Sequence, residues 1–281
     1  MTIAAREIIE DGWRRLEAAG VAEPRIKMAW WVAEVLGVGR EALPLAEVSG
    51  EAVLLIEAGI QRLLRHEPLQ YVIGHAPFLN LSLRTDRRAL IPRPETEELV
   101  MRVLASRPLW ARPGVTLADV GTGSGCIALA IAAARPTARI IATDCSADAL
   151  ALARENAVAN GLENRVHIVA GDLLEGMAPE SLDAVVSNPP YITRSELAGL
   201  DPSVRDYEPP AALDGGEDGL VIIRKLVEQA FTALRNDGRL WMEIGDDQGD
   251  AVRDLLTRAG YREVSVAADL YGKTRFAEAQ K

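Results

Sequence analysis

The chain has 281 residues, 48% hydrophobic and 26% charged, which leaves room for one large domain or two smaller ones around a sizeable core. A net charge of -10 and a pI near 5.0 argue against binding nucleic acid chiefly through phosphates, which calls for surplus Lys and Arg, and fit a basic or neutral protein partner. Two cysteines, Cys126 and Cys145, make neither a disulfide framework nor a zinc spacing, so no metal is expected and a reducing, cytoplasmic compartment is the simple reading.

Glu7, Glu10 and Asp11 interrupt the N-terminal segment, which therefore does not read as a signal peptide, and no stretch approaches a membrane span. Ile8, Ile9, Trp13 and Leu16 recur at helical spacing and stop at Gly20. Pro24 opens a second helix that Gly37 closes. A third runs from about Glu51 to Leu64, with Ser49 as its cap. These predict a small helical bundle over residues 1–75. Trp30 and Trp31 are adjacent, so they cannot both face its core, and one must pack on another segment or a partner. From Leu69 to Pro92 the pattern turns extended, through Phe78, Leu79, Leu81 and Leu83, which suggests a hairpin linker over 76–94.

Residues 95–281 then alternate strands and helices. Strands are expected over 116–120, 139–143, 166–170, 182–187, 239–244, 262–266 and 274–277, and helices over 127–134, 147–160, 220–234 and 250–259. Such alternation predicts an α/β fold with a mostly parallel sheet covered on both faces, whose ligands bind at the carboxyl ends of the strands.

The first of these strands ends in Asp119-Val120-Gly121-Thr122-Gly123-Ser124-Gly125-Cys126. Glycines at a strand-to-helix turn let a ligand approach the backbone, and the helix start offers free N–H groups. The last glycine of the dinucleotide fingerprint is replaced by Cys126, and no Lys-Ser/Thr pair follows, so neither a dinucleotide nor a nucleoside triphosphate is indicated. A glycine loop preceded by an acid suits a ligand without phosphate, and S-adenosylmethionine is such a ligand. Asp144, ending the next strand, can accept from ribose hydroxyls, and Asp172 can meet the adenine amino group; both can equally cap a helix or turn. Cys126 at a helix start can be an acidic thiol or a packed one, with packing favoured because no partner base is visible.

The fourth strand runs into Asn188-Pro189-Pro190-Tyr191. An amide nitrogen is a weak nucleophile because its lone pair is shared with the carbonyl. Two acceptors that take its two hydrogens, the Asn188 side-chain oxygen and the Pro189 carbonyl, restore a directed lone pair. The prolines fix φ and remove competing donors, and Tyr191 can stack on a flat acceptor group. Alignment and preorganised polarity supply the catalysis in this scheme, with no general base. The bland reading of the same residues is a proline turn after a strand.

With these segments in place, the sequence resembles the N5-glutamine methyltransferases of peptide chain release factors. The resemblance spans nearly the whole chain. It rests on Glu67–Tyr71 with Gly74, Leu90–Glu97, Gly121–Gly125, Asn188–Tyr191, Tyr207-Glu208-Pro209, Leu213 with Gly215-Gly216, Asp218-Gly219-Leu220, Glu243-Ile244-Gly245 and Asp269–Arg275. It implies a helical substrate-docking domain followed by a seven-stranded, Rossmann-like class I methyltransferase domain. The implied acceptor is the glutamine of a Gly-Gly-Gln motif in class I release factors. The implied cofactor contacts are Gly121, Thr122, Gly123, Ser124, Gly125, Asp144, Asp172, Leu173 and Asn188, and the acceptor contacts Asn188, Pro189, Pro190 and Tyr191.

Neighbouring readings are a glutamine methyltransferase of a ribosomal protein and an adenine-N6 methyltransferase of nucleic acid. The second needs a positive channel and a flipped base, which the acidic charge disfavours. Arg93 and Glu95 either shape the mouth of the site or form a local salt bridge. Residues 206–219 are either a lid or a connecting loop. His66, His75 and His167 lack metal spacing. No membrane or direct nucleic-acid contact is expected, and a monomer suits an enzyme that must embrace another protein.

Overall fold

The structure, a computed structural model, describes residues 2–281. Its chain divides into two compact units, one holding the chain up to His75 together with Asp201–Tyr207, the other Ala76–Leu200 with Glu208–Lys281.

In the first unit, α1 (Ala5–Ala18), α2 (Pro24–Leu36) and α3 (Gly50–Leu63) bury Leu16, Met28, Val32, Ile56, Ile60 and Leu63 together. Pro24 starts α2 and Gly37 ends it at φ 65°, and Ser49 caps α3 by accepting from Ala52 N at 3.3 Å. The paired tryptophans diverge as their adjacency requires. Trp31 turns inward and donates to Ile56 O at 3.0 Å, whereas Trp30 is 39% exposed beneath the Arg40 guanidinium, 4.2 Å from the ring centre. Tyr207 donates its hydroxyl to Arg65 O at 2.7 Å within this same unit. The segment read as extended from Leu69 begins instead with a helical turn, Leu69–Ile73, that Gly74 ends at φ 91°.

A hairpin pairs the strand His75–Phe78, all but its first residue in the second unit, with Leu81–Arg84 and buries Phe78 and Leu83 in that unit's core. Helix α4 (Pro94–Ala105) follows. The main sheet is built from β1 (Thr116–Val120), β2 (Arg139–Asp144), β3 (Val166–Ala170), β4 (Leu182–Ser187), β5 (Leu234–Glu243), β6 (Arg262–Ala268) and β7 (Thr274–Gln280). Their spatial order is β6-β7-β5-β4-β1-β2-β3; β1 to β5 pair in parallel and β7 runs antiparallel to both neighbours. The order turns back beside β1, where β4 lies on one side and β2 on the other, and that crevice takes the ligand in open α/β sheets.

Successive strand residues point to opposite faces. Leu117, Ala184, Val186, Trp241 and Phe276 therefore meet α4, α5 (Cys126–Ala134) and Ala157 of α6 (Ala147–Ala159) on one face. Ala118, Val185, Leu240, Met242 and Ala277 meet α7 (Val221–Ala233) and α8 (Gly249–Arg258) on the other. Burial of both faces is what places the loops at the strand ends as the free surface of this unit. No helix among the described residues is long and apolar enough to cross a membrane.

Candidate active site

At the carboxyl ends of β1, β2 and β4 lies a cavity of about 200 Å³. Of the residues picked out from sequence, Gly121, Thr122, Gly123, Ser124, Asp144, Asp172, Leu173, Asn188 and Pro190 line it. Gly125, Pro189 and Tyr191 are not among the lining residues. Arg88 to Arg93, Thr96, Pro209, Ala211 and Ala212 supply further wall.

The glycine loop is shaped from within. Gly125 sits at φ 85° as the N-cap of α5, and a Cβ there would lie 3.2 Å from Leu129 Cδ1 and 3.3 Å from Ala153 Cβ. Asp119, fully buried behind the loop, accepts from Thr122 Oγ1 at 2.5 Å and from Ala128 N at 3.0 Å; its other oxygen has no partner. Burial raises this carboxyl to about 7, against the pull of those two donors. Burial likewise pushes the Cys126 thiol up to about 12, against the acidic-thiol reading, and the residue also lines the cavity.

Asp144 ties the loop to the following helix: Oδ2 accepts from Gly123 N and Oδ1 from Ser146 N, each at 2.9 Å. Ser146 in turn caps α6 through Ala149 N at 3.2 Å. Asp144 thus performs the structural task while still facing the cavity, since each oxygen keeps a second lone pair. Asp172 is half-exposed and ion-paired with Lys225, beside Leu173 at φ 57°. Thr143 Oγ1 donates to Leu173 O at 2.9 Å and holds that turn.

Asn188 lies where β4 ends. Its Nδ2 donates to Thr96 Oγ1 at 3.1 Å, and Thr96 donates to Glu243 Oε2 at 2.7 Å. Tyr191 points its hydroxyl at the same carboxylate, Oε1, at 3.2 Å, and receives Arg275 Nη1 at 3.4 Å. Burial raises both the Glu243 carboxyl and the Tyr191 hydroxyl above their ordinary values, and the adjoining Glu243 charge adds to the tyrosine's shift. The backbone beyond is packed just as tightly: a Cβ on Gly219 would come within 2.4 Å of Tyr191 O, and one on Gly215 within 2.8 Å of Tyr191 Cα. Gln248 completes this floor by donating to Tyr191 O at 2.9 Å.

Arg93 pairs with Glu208 at 2.6 Å, a partner 115 residues away, instead of with Glu95. Glu208 is buried and its carboxyl is raised by desolvation in spite of that pairing. In the loop expected to be a lid or a connector, Pro209, Ala211 and Ala212 line the cavity. No group of His, Cys, Asp and Glu among the described residues could hold a metal ion.

Sequence reasoning gave no role to Thr96, Glu243 or Gln248. Thr96 and Glu243 do lie inside segments that carry the resemblance, but nothing local to either marks it as a partner of Asn188.

Comparison with known proteins agrees with this architecture. The family model described as methyltransferase small domain matches residues 97–199, and that described as PrmC N-terminal domain matches residues 7–74. A release factor glutamine methyltransferase of Caulobacter vibrioides is 39% identical over 91% of this chain and 89% of its own. One of Moorella thermoacetica is 41% identical over 96% of each. Among solved structures, a methyltransferase from Pyrococcus furiosus shares the fold, with a TM-score of 0.52 and 19% identity over 72% of this chain and 89% of that one. By its extended likeness to these curated relatives, the chain belongs to the release factor glutamine methyltransferase family.

Proposed function

We propose that this protein transfers a methyl group from S-adenosylmethionine to the side-chain amide nitrogen of the glutamine in the Gly-Gly-Gln motif of peptide chain release factors. The observation that carries the reading is the Asn188 amide, anchored through its nitrogen on Thr96 at the edge of the cavity that the glycine loop lines. An amide so anchored has its oxygen left to accept from a substrate N–H, and the family relationship supplies the substrate.

The residues present fit the cofactor. Ser124 lines the cavity, and its buried Oγ is left without a hydrogen-bond partner, as a loop built to meet a polar ligand end would leave it. Gly121, Thr122, Gly123, Ser124 and Gly125 would form the loop around that end, Asp144 would take the ribose, and Asp172 with Leu173 the adenine. S-adenosylmethionine brings an electrophilic methyl on a sulfonium. The chain's own part is to hold the amide nitrogen with its hydrogens toward Asn188 Oδ1 and the Pro189 carbonyl, so that its lone pair is free and aimed; the methylated nitrogen then gives up one of those hydrogens as a proton. Pro190 with Pro209, Ala211 and Ala212 gives that position an apolar wall. The N-terminal unit, 1–75, serves as the docking domain, and 95–281 as the catalytic one.

The test is incubation of the protein with methyl-labelled S-adenosylmethionine and a purified release factor, alongside the factor's Gly-Gly-Ala variant. Label on the wild-type factor alone is expected. Label on both factors, or on neither with cofactor still bound, would remove the glutamine assignment.

A further inference from the structure

The segments Glu243–Gly245 and Asp269–Arg275 remain without a task, yet they converge behind Asn188. Asp269 accepts from Tyr271 N at 2.9 Å and Lys273 N at 3.0 Å, forming the turn before β7. Its Oδ2 lies 3.6 Å from Arg275 Nε. Arg275 donates to Ile244 O at 3.2 Å and to the Tyr191 hydroxyl. Glu243, 2% exposed at the end of β5, receives Tyr191 on one oxygen and Thr96 on the other.

We propose that Glu243 is a positioning residue for methyl transfer: acting through Thr96, it fixes the Asn188 amide with the nitrogen turned inward and the oxygen turned to the substrate. The proposal rests on the reading of Asn188 as the group that holds the acceptor.

The direction of each hydrogen bond follows from the chemistry of two groups. A guanidinium can only donate and a carboxylate can only accept. Tyr191 must therefore accept from Arg275 and give its proton to Glu243. Thr96 has one proton, which the other carboxylate oxygen takes, so its oxygen can only accept from Asn188. That selects the amide nitrogen at 3.1 Å. The two ends of an asparagine amide are nearly the same size, so shape alone does not choose between them. Turned over, the side chain would present N–H to the substrate's own N–H groups and would repel the acceptor it should align. Thr96 and Glu243 are both buried, so a missing partner there leaves a costly unpaired group.

The carboxylate must be charged for this logic to hold, because a protonated Glu243 has a proton to give and lets the chain reverse. Burial opposes that charge most strongly; of the groups facing it, the Thr96 hydroxyl, Arg275 on β7 and the Tyr191 hydroxyl favour it, and Glu95 on α4 opposes it. Cys126 at the start of α5 feels the same charge.

The experiment uses the full-length protein, methyl-labelled S-adenosylmethionine and a release factor, with Glu243→Gln, Thr96→Val, Thr96→Ser and the Glu243→Gln/Thr96→Val double variant. Glutamine keeps the shape of Glu243 but can offer Thr96 either a donor or an acceptor. We expect kcat to fall at least about tenfold in Glu243→Gln and in Thr96→Val, and Thr96→Ser to recover most of the loss. The double variant should be no slower than Thr96→Val, because both changes break one chain. The wild-type rate should fall on acidification as Glu243 takes a proton, and that fall should be absent from Thr96→Val. Single variants with unchanged kcat, or losses that multiply in the double variant, would overturn the proposal. If Glu243→Gln fails to bind cofactor, the Thr96→Val and Thr96→Ser pair decides alone. An Asn188→Ala enzyme that keeps full activity would instead locate the failure in the reading of Asn188 itself.

Discussion

The Thr96 hydroxyl donates to Glu243 Oε2 over 2.7 Å, joining residues 147 positions apart in the chain. The bond links the first turn of α4 to the end of β5, and Asn188 hangs from it. The catalytic asparagine of the proposed reaction is thus held by two elements other than its own.

Asn188→Ala removes one of the two acceptors proposed for the substrate amide. A single preorganised polar partner is worth about 100-fold or more in rate. The expected outcome is a loss of kcat of at least that size with the thermal midpoint nearly unchanged, read from single-turnover methylation and a melting curve.

Gly125→Ala places a side chain at φ 85° and within 3.3 Å of Leu129 and Ala153. The left-handed backbone alone costs an L-residue about 1–2 kcal/mol. Relief by shifting the loop would move Gly123 and Ser124, which line the cavity. We expect a Tm lower by about 3–6 °C and weaker binding of S-adenosylmethionine by calorimetry.

Asp119→Asn tests the buried acid behind the loop. Its folded-state value of about 7 stands well above that of an unfolded aspartate, because burial disfavours the charge. Between about pH 4 and 7 the native state therefore holds the extra proton, so the stability Asp119 contributes is fully present below about pH 4 and is lost as pH rises through 7. Asparagine cannot titrate. The stability of the variant relative to wild type should rise from pH 5 to pH 8, by no more than about 4 kcal/mol. Urea denaturation at the two pH values measures this, and a pH-independent difference would contradict it.

Gly59→Ala opposes two effects in the helical bundle. Alanine improves helix propensity by up to about 1 kcal/mol. Its Cβ, however, would stand 2.2 Å from Cε2 and Nε1 of Trp31, whose ring is pinned by its bond to Ile56 O. Overpacking of this kind costs about 1–3 kcal/mol. Net destabilisation is expected, seen as a lower urea midpoint.

Much of this molecule was legible locally. The three bundle helices, the strand and helix alternation after residue 95, and the cap and stop residues Ser49, Gly37 and Pro24 follow from periodicity and backbone preference within a few residues. The glycine loop and the Asn188–Tyr191 run are contiguous, so composition alone announces them. Where reading failed, the cause was also local. Leu69–Ile73 forms a helical turn in a stretch whose apolar residues suit either conformation, and such short runs carry no decisive period.

The elements, the glycine loop and the Asn188–Tyr191 run can be read along the chain, because each is set by interactions between near neighbours. That Arg93 answers Glu208, that Tyr191 gives its hydroxyl to Glu243 and that Thr96 supports Asn188 emerges only once the sheet is assembled. Those pairings exist because β5 packs beside β4 and β7 returns antiparallel next to β5, which brings Glu243 and Arg275 to the strand end where Asn188 lies. Sheet order is a property of how whole faces bury one another, and no window of sequence short enough to read by pattern contains it.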